Sequence, residues 1–189
     1  GDIFIETMLD APETNAIRLA KEFVKFNERC FVRLLGDMRS YNFVIDITPD
    51  IEGYQYRIRC IDFDQQSYEG RKSLYLPQFF KENIAFVQLA LNNLNAESIE
   101  QYRFEERTLI ALRLTASRYR IKDLLDIMTT DTISTPEKIS QLKSELNEYL
   151  QTKVFSKCNT MGDVVKTTLK QTLRKSLVLV QKTPGKEHD

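Results

Sequence analysis

The residues able to do chemistry gather in one stretch of the chain. Gly36-Asp37-Met38-Arg39-Ser40-Tyr41-Asn42 runs into a segment where Phe43, Ile45 and Ile47 alternate with Val44 and Asp46. A second alternating segment, Tyr56, Ile58 and Cys60 with Arg57 and Arg59 between them, ends at Ile61-Asp62-Phe63-Asp64. The intervening Thr48-Pro49-Asp50-Ile51-Glu52-Gly53 is rich in turn residues, so the pattern predicts an antiparallel hairpin. A turn centred on Glu52 sets Asn42 opposite Asp62, and Asp37 hangs over the same mouth from the loop before the first strand. Two carboxylates and one amide then converge on one spot. Hard oxygen donors of this kind suit Mg²⁺, which takes a few protein oxygens and completes its shell with water and phosphate. A carboxylate left off the metal can accept the proton of an attacking hydroxyl, and Arg39 adds a positive charge for a transferring phosphoryl group. The chemistry these residues suggest is ATP-dependent phosphorylation. A purely structural reading uses the same side chains: Asp37 as a loop cap, Asn42 satisfying backbone before a strand, and Asp62 and Asp64 as turn residues.

Composition closes off other routes. The chain has 189 residues, and its single histidine, His188, stands in a polar tail beyond Pro184-Gly185. Ser-His-Asp and Cys-His catalysis and His-bearing zinc sites therefore lack their imidazole. Three cysteines, Cys30, Cys60 and Cys158, lie far apart, which suits isolated thiols better than a disulfide framework, and Cys60 reads as a buried, inert strand residue. With 27 basic and 27 acidic side chains there is no net charge to attract nucleic acid or an anionic membrane, so neither is an expected partner. No secretory leader is evident and no apolar run nears the roughly 20 residues that span a bilayer, so a cytoplasmic location is the expectation.

The elements that must position the site read as mainly α with a small antiparallel β-hairpin, an α+β chain of one domain over residues 1–181. Ile3 to Thr7 reads as a short strand. A helix is expected over 12–35, with Pro12 in its first turn and Ile17, Ala20, Val24, Phe31 and Leu34 on its core face. The loop and hairpin occupy 36–64. A helical body fills 77–181: Phe80, Ile84, Val87, Leu91 and Leu94 mark one helix, and Tyr102, Leu109, Leu112, Ala116 and Tyr119 a second. Ser134-Thr135-Pro136-Glu137 and Thr160-Met161-Gly162-Asp163 open two more with capping signatures. Residues 182–189 form a flexible tail. Arg71-Lys72, and Lys166, Lys170 and Arg174 on one helix face, read as solvated charge, while Phe79, Phe80 and Phe86 read as core.

The Gly-Asp-x-x-x-x-Asn run entering a hydrophobic strand, Gly36 to Asp46, resembles the catalytic loop of the protein-kinase-like superfamily, in the form found in aminoglycoside and choline phosphotransferases. Ile61-Asp62-Phe63-Asp64 is similar to the metal-binding segment that follows the hairpin in those proteins. The resemblance, spanning residues 31–64, implies a kinase-like C-terminal lobe in which Asp37 is the catalytic base. It further implies that Asn42 and Asp62 bind Mg²⁺, that Asp64 is a second acidic position, and that Arg39 replaces the lysine that contacts the transferred phosphate. ATP and Mg²⁺ are the implied cofactors, with a small-molecule phosphate acceptor favoured over a protein. Leu35 stands where the family has histidine. No glycine-rich loop or strand-borne lysine precedes Asp37, and no Ala-Pro-Glu follows Asp64. In family terms the N-terminal lobe is missing, so the lobe is incomplete or inactive by itself. The alternative is a noncatalytic helical interaction domain or a pseudokinase.

Overall fold

A computed structural model describes residues 1–181, the last six as backbone. The expected tail, with His188, lies outside the described residues. The chain is mainly helical with one two-stranded antiparallel sheet, as expected. Its elements are α1 (Asp2–Thr7), α2 (Ala16–Arg33), β1 (Phe43–Asp50), β2 (Gly53–Cys60), α3 (Ile84–Asn93), α4 (Ala96–Ala116), α5 (Arg118–Thr130), α6 (Pro136–Tyr149) and α7 (Met161–Gln181). Among the described residues no helix is long and apolar enough to cross a membrane.

The expected strand at Ile3 to Thr7 is instead helix α1, which buries Phe4 and leaves Ile3 exposed. A run this short has no periodicity to separate the two states, and tertiary packing decides. Helix α2 starts later than Pro12, because the Asn15 side chain caps it by accepting the Arg18 N–H at 3.0 Å. Ile17 then faces solvent, while Leu19, Phe23, Phe26 and Cys30 carry the buried stripe. In α3 the buried residues are Phe86 and Ala90, not Ile84 and Leu91, and Phe79 is also exposed. The long second helix of the body breaks at Ser117 into α4 and α5. The two capping signatures hold: Thr135 accepts from Lys138 N–H, and Thr160 and Asp163 cap each other's backbone at the start of α7.

Helix α2 is the shared spine of two cores. Towards its start, Phe23, Phe26, Phe43 and Phe86 pack with centroids between 5.1 and 5.8 Å apart, joining α2 to the hairpin and α3. Towards its end, Phe31 and Leu34 join a second cluster with Leu125, Leu142, Leu146 and Phe155 from α5, α6 and the turn before α7. Burying a Phe or Leu contributes roughly 1.5–3 kcal/mol. Both ends of α2 are therefore fixed by packing, and the loop that leaves it starts from a rigid base.

Candidate functional site

The loop begins where α2 stops. Leu34 takes a left-handed conformation (φ 48°), and its N–H bonds the carbonyls of Cys30 and Phe31 to close the helix. Glycine usually fills such a position, and a leucine there costs roughly 1–2 kcal/mol. Full burial of its side chain offsets that cost: Leu34 enters the second core while its neighbour Leu35 enters the first. Gly36 follows because the chain passes so close to Gln65 that a Cβ would lie 2.7 Å from its carbonyl oxygen.

The segment 61–67 runs antiparallel to 34–42 and is tied to it at both ends. Beyond the ladder that pairs Phe43 with Cys60, the Ile61 N–H donates to the Asn42 carbonyl at 3.0 Å. At the other end Leu35 bridges Gln66, and the Ser67 N–H donates to the Leu34 carbonyl at 2.8 Å. Between these ties lie Asp37 on one segment and Asp62 and Asp64 on the other. The register differs by one residue from a turn centred on Glu52, because the loop is the pair Ile51-Glu52 and Gly53 follows with φ 126°. Asn42 therefore stands opposite Ile61, and Asp62 falls just outside the ladder. A slip of one residue reverses the face a side chain takes.

Asn42 turns towards Asp37. Its Nδ2 donates to the Asp37 carbonyl at 2.8 Å and reaches the carboxylate Oδ2 at 3.3 Å. Asp37 is also left-handed (φ 57°), a conformation Asp tolerates better than most residues. Arg39 Nε donates to Asp37 Oδ1 at 2.7 Å, its Nη1 to Glu82 at 2.8 Å, and its guanidinium lies 4.8 Å from the Phe80 ring centre. The hydrogen bond to Asp37, helped by Glu82, holds Arg39 protonated above its ordinary range. Glu82 is held below the usual carboxylate range, by its own backbone N–H first and Arg39 next. Asp62 Oδ1 accepts the Asp64 N–H at 3.0 Å, and neither Asp62 nor Asp64 has an ion-pair partner among the described residues.

The donor set fits Mg²⁺ in kind. With Nδ2 spent on Asp37, the Oδ1 of Asn42 accepts no hydrogen bond among the described residues, and Asp62 Oδ2 takes none there either. Two such oxygens are what Mg²⁺ takes from protein before water and phosphate fill the rest. Among the described residues no group of three or more His, Cys, Asp or Glu is placed to hold a metal. The three aspartates thus do not form a carboxylate cage.

Several partners of the site have no local sequence signal. Glu82 and the buried Asn83, whose Nδ2 donates to the carbonyls of Met38 and Pro77 at 2.8 Å each, come from before α3. Ser40 donates to Asp2 of α1. Lys72 is structural, its N–H on Glu145 at 2.7 Å and its ammonium 4.0 Å from the Tyr149 ring centre. Cys60 is half-buried, where the strand pattern predicts burial, and a hydrogen bond from Cys30, with Arg33 nearby, outweighs burial and lowers its thiol below the ordinary range. Comparison with protein-family models, with curated proteins and with solved structures finds no match, so the functional reading rests on the site's own geometry.

Proposed function

We propose that the chain is the C-terminal lobe of a kinase-like phosphotransferase that uses ATP and Mg²⁺ on a small-molecule acceptor. The observation that supports the reading is the double backbone tie between 34–42 and 61–67, which lays the segment bearing Asp37 and Asn42 alongside the segment bearing Asp62 and Asp64. Asn42 and Asp62 would hold the metal, which when bound neutralises nucleotide phosphate oxygens. Asp37, oriented by Asn42 and Arg39, accepts the proton of the acceptor hydroxyl. Asp64, exposed on the same segment as Asp62, is the second acidic position. Arg39 contributes charge beside Asp37, and Glu82 fixes where that charge sits. A complete enzyme needs a second lobe to cover the nucleotide, and ATP chemistry goes with a cytoplasmic location.

The second reading, a pseudokinase or noncatalytic interaction domain, is favoured by one observation. Arg39 occupies the Asp37 carboxylate at 2.7 Å, so the base is engaged before any substrate arrives.

Calorimetry with ATP, with and without Mg²⁺, separates these, using the chain together with whatever residues precede it in the natural protein. The enzyme reading expects Mg²⁺-dependent binding that Asp62→Ala abolishes. It also expects phosphate transfer that Asp37→Asn abolishes while binding persists. Binding unaffected by Asp62→Ala removes the metal assignment, and binding without transfer in the wild type selects the pseudokinase.

A further inference from the structure

Between β2 and helices α4, α5 and α7 lies a cavity of about 610 Å³, within the range of small-molecule sites. Its walls are apolar, with Ile110 and Leu114 from α4, Ile121 from α5 and Leu169 from α7. Arg29, Arg33, Arg57, Arg59 and Arg113 line it as well.

Only part of that charge is answered. Arg29 pairs with Glu22 at 2.5 Å and lies 3.3 Å from Glu106, and Arg59 pairs with Asp46. Arg57 comes no nearer to Glu22 than 4.0 Å, and neither Arg33 nor Arg113 has an ion pair among the described residues. Five guanidiniums thus face three carboxylates. Arg29 is 4% exposed, and its Nη1, paired with Glu106 Oε2 at 3.3 Å, makes no hydrogen bond among the described residues. Burial, and then the charges of Arg29 and Arg113, hold Arg57 below its ordinary range, against the pull of Glu22 and Glu106. An anion among these side chains would relieve their repulsion, and guanidinium matches carboxylate and phosphate in bidentate geometry.

We propose that this cavity binds a small amphipathic anion, one carboxylate or phosphate ester on an apolar body. The head sits among Arg33, Arg57 and Arg113 and the body lies against Ile110, Leu114, Ile121 and Leu169. Neither Asp37 nor Asn42 lines the cavity, which borders segment 61–67 at Phe63 and Gln66, and the proposal does not depend on phosphotransfer.

Calorimetry with decanoate and decyl phosphate below their micellar concentrations, with decanol below its solubility limit and with inorganic phosphate tests it. At least one of the two amphipathic anions should bind at least about tenfold more tightly than decanol and than inorganic phosphate, and which one does so names the head group. Arg113→Gln changes an exposed residue with no ion pair and should weaken that anion about tenfold while leaving decanol unchanged. Leu114→Glu, with its fold checked by circular dichroism, should weaken both. The proposal is overturned if decanol or inorganic phosphate binds as tightly as the anions, or if Arg113→Gln has no effect. It is equally overturned if neither anion binds more tightly than about 1 mM.

Discussion

Asn42 Nδ2 donates to the backbone carbonyl of Asp37 at 2.8 Å and touches the carboxylate of the same residue at 3.3 Å. One amide thus fixes both the position and the side-chain direction of the aspartate five residues before it. Because Asn42 is only 9% exposed, water cannot readily replace it. Asn42→Ala should lower stability by about 1 kcal/mol through the lost bonds, the Asp37 carbonyl keeping the Arg39 N–H at 2.9 Å. Urea unfolding measures this, and an unchanged midpoint would show that the loop is held by other contacts.

Gly36 sets the closeness of the two tied segments. Any Cβ there meets the Gln65 carbonyl oxygen at 2.7 Å and the Tyr75 ring at 3.3 Å. Backbone must shift, so Gly36→Ala should cost about 1–3 kcal/mol by overpacking. It should also loosen the tie at Leu34–Ser67, speeding amide exchange at Ser67. Stabilisation instead, of the kind Gly→Ala gives at unstrained sites, would mean that the segments part without cost.

What could be read in advance was local. The hairpin, the Thr135 cap, the Thr160–Asp163 capping box and the Asp37–Asn42 spacing each depend on residues within a few positions, where side-chain chemistry dictates backbone geometry. Its exact register was not legible, because Ile51-Glu52 and Gly53 could close the turn in more than one way. Ile17, Ile84 and Leu91 match the helical period of a core yet face solvent, since periodicity assigns a face before neighbours decide which face is covered. Glu82 lies 43 residues from Arg39 in the chain, and nothing at that distance in sequence announces an ion pair.

A charge cluster between α2 and α4 gives the chain an acid-sensitive contact. Burial works against the ionised form of Glu105, but the Lys25 ammonium at 2.8 Å, with Gln101 and with Lys21 at 3.3 Å, holds the carboxyl below its ordinary value of 4.5. A lowered carboxyl contributes stability that is complete above the ordinary value and lost as the pH falls through the folded-state value. The pair is partly exposed, so Glu105→Gln should cost less than about 1 kcal/mol at pH 7. That difference from the wild type should vanish in strong acid, as followed by urea midpoints across the pH range. A difference that stays constant with pH would assign the effect to packing.

The outer edge of the hairpin is covered at Ile58 by a buried ion pair, and among the described residues no third strand pairs with it. Glu22 Oε1 accepts both Arg29 Nη2 at 2.5 Å and the Ile58 N–H at 2.9 Å, while Arg29 donates back to the Ile58 carbonyl at 3.2 Å. Side chains of α2 thereby satisfy the backbone groups that β2 presents away from β1, which an exposed edge would offer to another chain. Glu22 is 6% exposed and Arg29 4%. Removing one partner leaves a buried guanidinium short of its counter-charge, so Glu22→Ala should cost about 3–5 kcal/mol. Glu22→Gln retains an acceptor for the Ile58 N–H and should cost less. Urea denaturation orders the three proteins, and amide exchange at Ile58 should accelerate most in the alanine variant. Equal stability of the alanine and glutamine variants would show that the charge, and not the edge hydrogen bond, is what α2 supplies to the hairpin.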